Sequence, residues 1–103
     1  MKVSVLSSGS KGNTTYIETK NAKILIDAGN SSKYILEKLQ ELNVNPNDID
    51  AILITHIHVD HVKGLPVLLK KINPTVYMTE KMHPYLDYIE NYIIIDRDII
   101  NIK

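Results

Sequence analysis

The stretch "AILITHIHVDHVKGL", residues 51–65, runs a short apolar segment straight into three histidines and an aspartate, and its reading decides the rest of the chain. Residues 51–55 (AILIT) are almost wholly apolar, the pattern of a buried strand. His56 and His58 come next, two apart. In backbone still extended as it leaves a strand, alternate side chains point the same way, so both imidazoles can reach one metal ion. Asp60 and His61 follow where the chain turns toward the next helix, and they can face a second ion. Gly64 then lets the chain turn. The whole chain has four histidines, so finding three of them directly after a buried strand points to a metal site. The competing reading is a non-catalytic surface histidine cluster that picks up stray metal.

The chemistry follows from the donor set. The chain has no cysteine, which excludes disulfides and thiolate metal sites. Imidazole and carboxylate donors suit Zn²⁺, and also Mn²⁺ or Fe. Two such ions about 3.5–4 Å apart can hold a bridging hydroxide and neutralise a developing oxyanion. Zinc brings the pKa of bound water to about 7, which gives a nucleophile at neutral pH.

Working outward, residues 2–6, 15–19 and 23–29 read as three strands joined by short turns, an antiparallel meander. The Ser- and Gly-rich segment 7–14 reads as a flexible hairpin loop. It fails the P-loop pattern, because no Gly-Lys-Ser/Thr opens a helix. Residues 31–44 read as a helix with Ile35, Leu36, Leu39 and Leu42 on one face and Ser31 or Ser32 as N-cap. Residues 45–50 break that helix. The spacing predicts a second helix over 65–73, with Pro66 in its first turn, a strand over 75–79 and a weaker helix over 80–91. Lys70 and Lys71 read as a solvated helix face. The tail, 92–103, reads as two β segments around the turn-like "DRD". An exposed isoleucine-rich strand is an aggregation hazard. The expectation is therefore a single, apparently truncated domain over 1–103, continued in a longer parent or covered by another chain.

Bulk composition bounds the function. With 103 residues the chain is one domain at most, and 44% hydrophobic content supplies a modest core. Acidic and basic residues balance at 12 each, so no global field draws the chain to nucleic acid or acidic lipid. The N-terminal apolar run is too short for a signal peptide and no stretch approaches a membrane span. No membrane partner and a cytoplasmic location are the expectation.

His56-Ile57-His58-Val59-Asp60-His61 resembles the His-x-His-x-Asp-His signature of the metallo-β-lactamase superfamily. Together with "SVLSSGSKGNTTYIET" (4–19) and "ILIDAG" (24–29), the order and spacing resemble the opening of the YycJ/WalJ-like branch, metal-dependent hydrolases related to DNA exonucleases. The resemblance implies an α/β fold, the four-layer αββα sandwich, present here as an N-terminal portion. It implies two Zn²⁺ per complete site, with His56 and His58 on the first ion and Asp60 and His61 on the second. Asp60 would also be catalytic, orienting the bridging water or accepting its proton. Asp27 matches the carboxylate that braces the metal-site loop from behind the ligands; the plainer alternative is a strand-end Asp capping a turn. Ser8 and Asn13 match the family's SGSxGN block near the active-site face, where backbone N–H groups could contact a phosphate.

The family pattern adds a further histidine for each ion and a bridging aspartate from downstream. Beyond the cluster the only histidine this sequence holds is His83, read as a solvent-exposed helix histidine. Each ion is thus offered two protein ligands where a catalytic zinc site has three. The implied function is metal-dependent hydrolysis, of a phosphodiester, with a metal-bound hydroxide as nucleophile. A nucleic-acid substrate rests on the resemblance alone. The alternative is a catalytically inactive fragment, or an interaction module that completes its sandwich and metal site with a second chain or a second copy.

Overall fold

The computed structural model describes residues 1–96. Six strands form one sheet in the order β1-β2-β3-β4-β5-β6. β1 (Lys2–Ser7), β2 (Thr14–Glu18) and β3 (Lys23–Ile26) make the expected antiparallel meander, with Lys2 opposite Glu18 and Thr15 opposite Ile26. β4 (Ala51–Leu53), β5 (Thr75–Met78) and β6 (Tyr92–Ile94) then add in parallel. Parallel neighbours need crossovers. α1 (Ser32–Glu41) supplies the first, and α2 (Val59–Val62) with α3 (Leu65–Leu68) the second.

The helices cover one face of the sheet. Leu25, Ile52, Val76 and Met78 point into a core shared with Ile35, Leu39, Leu65 and Leu68, all fully buried. Side chains alternate along a strand, so the opposite face carries the intervening residues. The register lines them up as Val3, Ile17, Ile24 and Ala51 in one row, and Thr15, Ile26, Leu53, Tyr77 and Ile93 in the next. Val3 and Val5 are 56% and 66% exposed there. A sheet with helices on one face and an apolar opposite face is one sheet-and-helix half of an αββα sandwich.

Local chemistry sets the element ends, and several differ from the expectation. β3 stops at Ile26 because Asp27 takes a positive φ of 64°. α1 begins at the Ser31 cap, whose Oγ accepts from the Tyr34 N–H at 3.2 Å. It ends before Leu42, because Asn43 has a φ of 58°, a left-handed position that stops a helix. Leu42 therefore leaves the buried face and is 40% exposed. The helix predicted over 65–73 is α-helical only to Leu68, after which Lys70 and Lys71 bond three residues back in turns. The helix predicted over 80–91 is a single 3₁₀ turn at His83–Tyr85. Pro84 is the cause: it has no N–H to give and disfavours helical backbone at His83. The first β segment of the tail is β6; the second lies outside the described residues.

Candidate metal centre

The C-terminal end of the interior strand β4 delivers the site. β4 ends at Leu53, and residues 54–57 continue without regular structure. His58 is still extended (φ −65°, ψ 152°) and precedes α2, so His56 and His58 sit on the strand exit and Asp60 and His61 on the helical turn, as the spacing predicts. The four side chains form one continuous cluster where the sequence suggested two separate pairs. The His56 ring lies 6.1 Å from His58, nearly parallel, and 4.6 Å from His61. His61 Nε2 lies 3.9 Å from Asp60 Oδ2. His56 and His58 are exposed, and Asp60 and His61 are half-buried.

Asp27 is buried behind this cluster. One carboxylate oxygen accepts the Thr55 backbone N–H at 2.7 Å. The other accepts both the Thr55 hydroxyl and His61 Nδ1, the latter at 2.7 Å. An ionised carboxylate can only accept, so Nδ1 of His61 donates and, in the neutral ring, Nε2 keeps the lone pair. The Thr55 hydroxyl has one proton and Asp27 takes it. The 3.0 Å contact between Thr55 Oγ1 and His56 Nδ1 then requires His56 to donate, which leaves its Nε2 free as well. A single buried carboxylate thereby sets the tautomer of two imidazoles, one directly and one through Thr55. Thr55 went unnoticed in the sequence; its position immediately before the histidines was the available signal.

Two neighbouring loops clamp the cluster. Asn13 N–H donates to the Asp60 carbonyl at 2.7 Å, and Asn13 Nδ2 reaches Asp60 Oδ2 at 3.3 Å. The 7–14 segment, predicted flexible, is thus tied to a site residue, and Asn13 acts through its side chain as well as its backbone. Ser8 is exposed. From the other side, Ala28 N–H donates to the His61 carbonyl and Gly64 N–H to the Ala28 carbonyl, both at 2.8 Å. At Gly29 a Cβ would overlap the Asp60 carbonyl, and at Gly64 it would overlap the Asn30 carbonyl. Gly64 has an ordinary φ of −85°. Close backbone approach, and not the turn expected from the sequence, makes it glycine.

His83 lies away from the cluster, in the 3₁₀ turn, with its ring 4.7 Å from Tyr92. It is half-buried, where the sequence suggested an exposed helix position. Lys70 and Lys71 are exposed, as read. Among the described residues no group of three or more His, Asp or Glu side chains converges on one point that could hold an ion. No helix among them is long and apolar enough to cross a membrane.

The metallo-beta-lactamase superfamily profile matches residues 8–99. The chain belongs to that superfamily. It is 51% identical over 80 residues to exodeoxyribonuclease WalJ of Streptococcus pneumoniae, covering 78% of this chain and 30% of that protein. It is 41% identical over 97 residues to exodeoxyribonuclease YycJ of Bacillus anthracis, covering 94% and 37% respectively. The chain spans about a third of the length of these curated relatives. Among solved structures, a B3 metallo-beta-lactamase with an active-site glutamic acid superposes with a TM-score of 0.74 at 22% identity, covering 84% of this chain and 40% of that one. That likeness shows the fold. The α/β architecture expected from the HxHxDH segment is the one found.

Proposed function

We propose that this chain carries the metal-binding motif of a metal-dependent phosphodiester hydrolase. The observation that supports it most is the contact of Asp27 with His61 and, through Thr55, with His56. A buried carboxylate committed to orienting imidazoles is the support that metal-ligating histidines require. His56 and His58 would hold one ion, and Asp60 and His61 a second. The nitrogen and oxygen donors fit zinc, with manganese or iron also accommodated. A divalent ion held there supplies Lewis acidity and brings the pKa of water to about 7.

The chain's own residues do the rest. Asp60, held by Asn13 through its carbonyl and Oδ2, orients the attacking water and accepts its proton. The names of the two relatives, both exodeoxyribonucleases, support a nucleic-acid phosphodiester as substrate. Because the described residues offer two ligands per ion, the chain by itself binds metal weakly and loosely, and turns over little substrate.

Calorimetric titration of the purified chain with Zn²⁺ and Mn²⁺, beside His58→Ala, tests both parts. Weak, saturable binding that His58→Ala reduces is expected. No binding to the wild-type chain at millimolar ion would overturn the metal reading. Two tightly held ions per chain would overturn the weak-binding part.

The exposed Val3 and Val5, on the sheet face opposite the helices, favour a second reading, in which another polypeptide or a second copy completes the sandwich and the ligand set. Sedimentation of the chain distinguishes them: a monomer up to high micromolar concentration rules out the second copy.

A further inference from the structure

We infer that the cleft between the 8–13 loop and α2 is a subsite for the backbone phosphate of a nucleic-acid strand, held by Lys11 and Lys63. The inference rests on the phosphodiester reading above and names how the strand is gripped beside the metal cluster. The cleft has a volume of about 530 Å³ and is lined by Ser10, Lys11, Asn30, Tyr34, Asp60 and Lys63, among others. Asp60 belongs both to this cleft and to the histidine cluster, so the cleft adjoins the site.

The charges favour an anion. Two lysines and one aspartate line the cleft. Among the described residues the lysine ion pairs are Lys23–Asp48 at 3.9 Å and Lys38–Glu41 at 3.5 Å, and neither includes Lys11 or Lys63. Both lysines are exposed, and neither gives up an ion pair with a described residue when a phosphate arrives.

Two of the neutral lining side chains, Asn30 and Tyr34, are already committed. Asn30 Nδ2 donates to Ser7 Oγ, its Oδ1 accepts from the Ser31 N–H, and the Tyr34 hydroxyl donates to the Leu6 carbonyl. Recognition therefore falls to the lysines and the Ser10 hydroxyl beside them, which read a phosphate without base identity.

Lys11 is also held in place. The Gly9 N–H donates to Asn13 Oδ1 and Asn13 Nδ2 donates to the Gly9 carbonyl, each at 3.2 Å. Gly12 N–H closes the same loop on Gly9 at 3.1 Å. The loop that carries Lys11 is pinned through Asn13 to Asp60, which lowers the cost of ordering it on binding.

The test is a ¹⁵N NMR titration of the full chain with unphosphorylated hexathymidylate in EDTA, with inorganic phosphate in parallel. Saturating shifts at the amides of Lys11, Asn30 and Lys63 are expected. In Lys11→Gln/Lys63→Gln the affinity should fall at least about fivefold, and the salt slope should flatten by roughly 1.4, two single-strand phosphate contacts' worth. Lys70→Gln/Lys71→Gln should leave both unchanged. The amide spectrum shows directly that each variant is folded.

Unaltered affinity in Lys11→Gln/Lys63→Gln, or an equal loss in Lys70→Gln/Lys71→Gln, would overturn the inference. So would absence of shifts, or equal shifts from inorganic phosphate at the same concentration. EDTA removes metal from this measurement, so a failed metal titration and a failed strand titration are separate results.

Discussion

Asp27 Oδ2 and His61 Nδ1 lie 2.7 Å apart although 34 residues separate them in sequence. The carboxylate is buried and its other hydrogen bonds go to Thr55, so it holds the residues around the site and is not itself open to an incoming ion. Asp27→Asn keeps the size of the side chain and tolerates the left-handed backbone. It loses the charge that fixes the His61 tautomer. Metal affinity should fall about 10–100-fold, read by calorimetry, with the far-ultraviolet spectrum unchanged. Unaltered affinity would make Asp27 a plain turn residue.

Thr55→Val removes the hydroxyl that links Asp27 to His56 while keeping the branched shape. His56 then loses its fixed tautomer, whereas His61 keeps its direct bond to Asp27. The expected result is a loss of metal affinity smaller than that of Asp27→Asn. In a ¹⁵N spectrum of the imidazole nitrogens, His56 should show mixed tautomers and His61 a single one. Equal effects on both rings would refute the relay through Thr55.

Gly29→Ala places a Cβ against the Asp60 carbonyl and the Asn13 backbone nitrogen, two backbone atoms that cannot swing aside. Asn13, Gly29 and Asp60 also share hydrogen bonds, with Gly29 N–H on the Asn13 carbonyl at 3.0 Å. A destabilisation of about 3 kcal/mol or more is expected, at the upper end for single substitutions. Urea unfolding measures it. A change below 1 kcal/mol would show that the loops are not packed this closely.

Tyr16 predicts an alkaline limit. Its hydroxyl donates to Glu18 Oε1 at 2.7 Å. Burial first, and then this hydrogen bond, push the phenol well above its ordinary value of 10.0. The folded state therefore holds the proton after the unfolded chain has lost it. The stabilising contribution is complete below pH 10 and is lost as the pH rises from there toward the raised folded value. Between the two values each pH unit should cost at most about 1.4 kcal/mol. Tyr16→Phe loses about 1 kcal/mol at neutral pH with the hydrogen bond, and its stability should then fall less steeply between pH 10 and 12. Parallel slopes in the two proteins would refute the assignment.

Local pattern made most of the elements legible. Alternation marked β1, β2 and β3, an apolar run marked β4, and heptad-like spacing with a serine cap marked α1. The HxHxDH spacing placed its own four ligand candidates, because strand exit and helical turn are both local geometries. The errors are local competitions resolved by single residues. Asn43 ends α1 early and exposes Leu42, and Pro84 reduces a predicted helix to one turn.

Sequence alone determined that His56, His58, Asp60 and His61 would stand together, and that Asp27 would end a strand near them. Tertiary structure decided what holds them. The parallel register of β3 on β4 sets Ile26 beside Leu53, which brings Asp27 against Thr55 and His61. The close approach of three loop backbones brings Asn13 to Asp60 across 47 residues. These contacts are non-local: they depend on strand pairing and on where a glycine lets two backbones meet, and no periodicity within the chain encodes either.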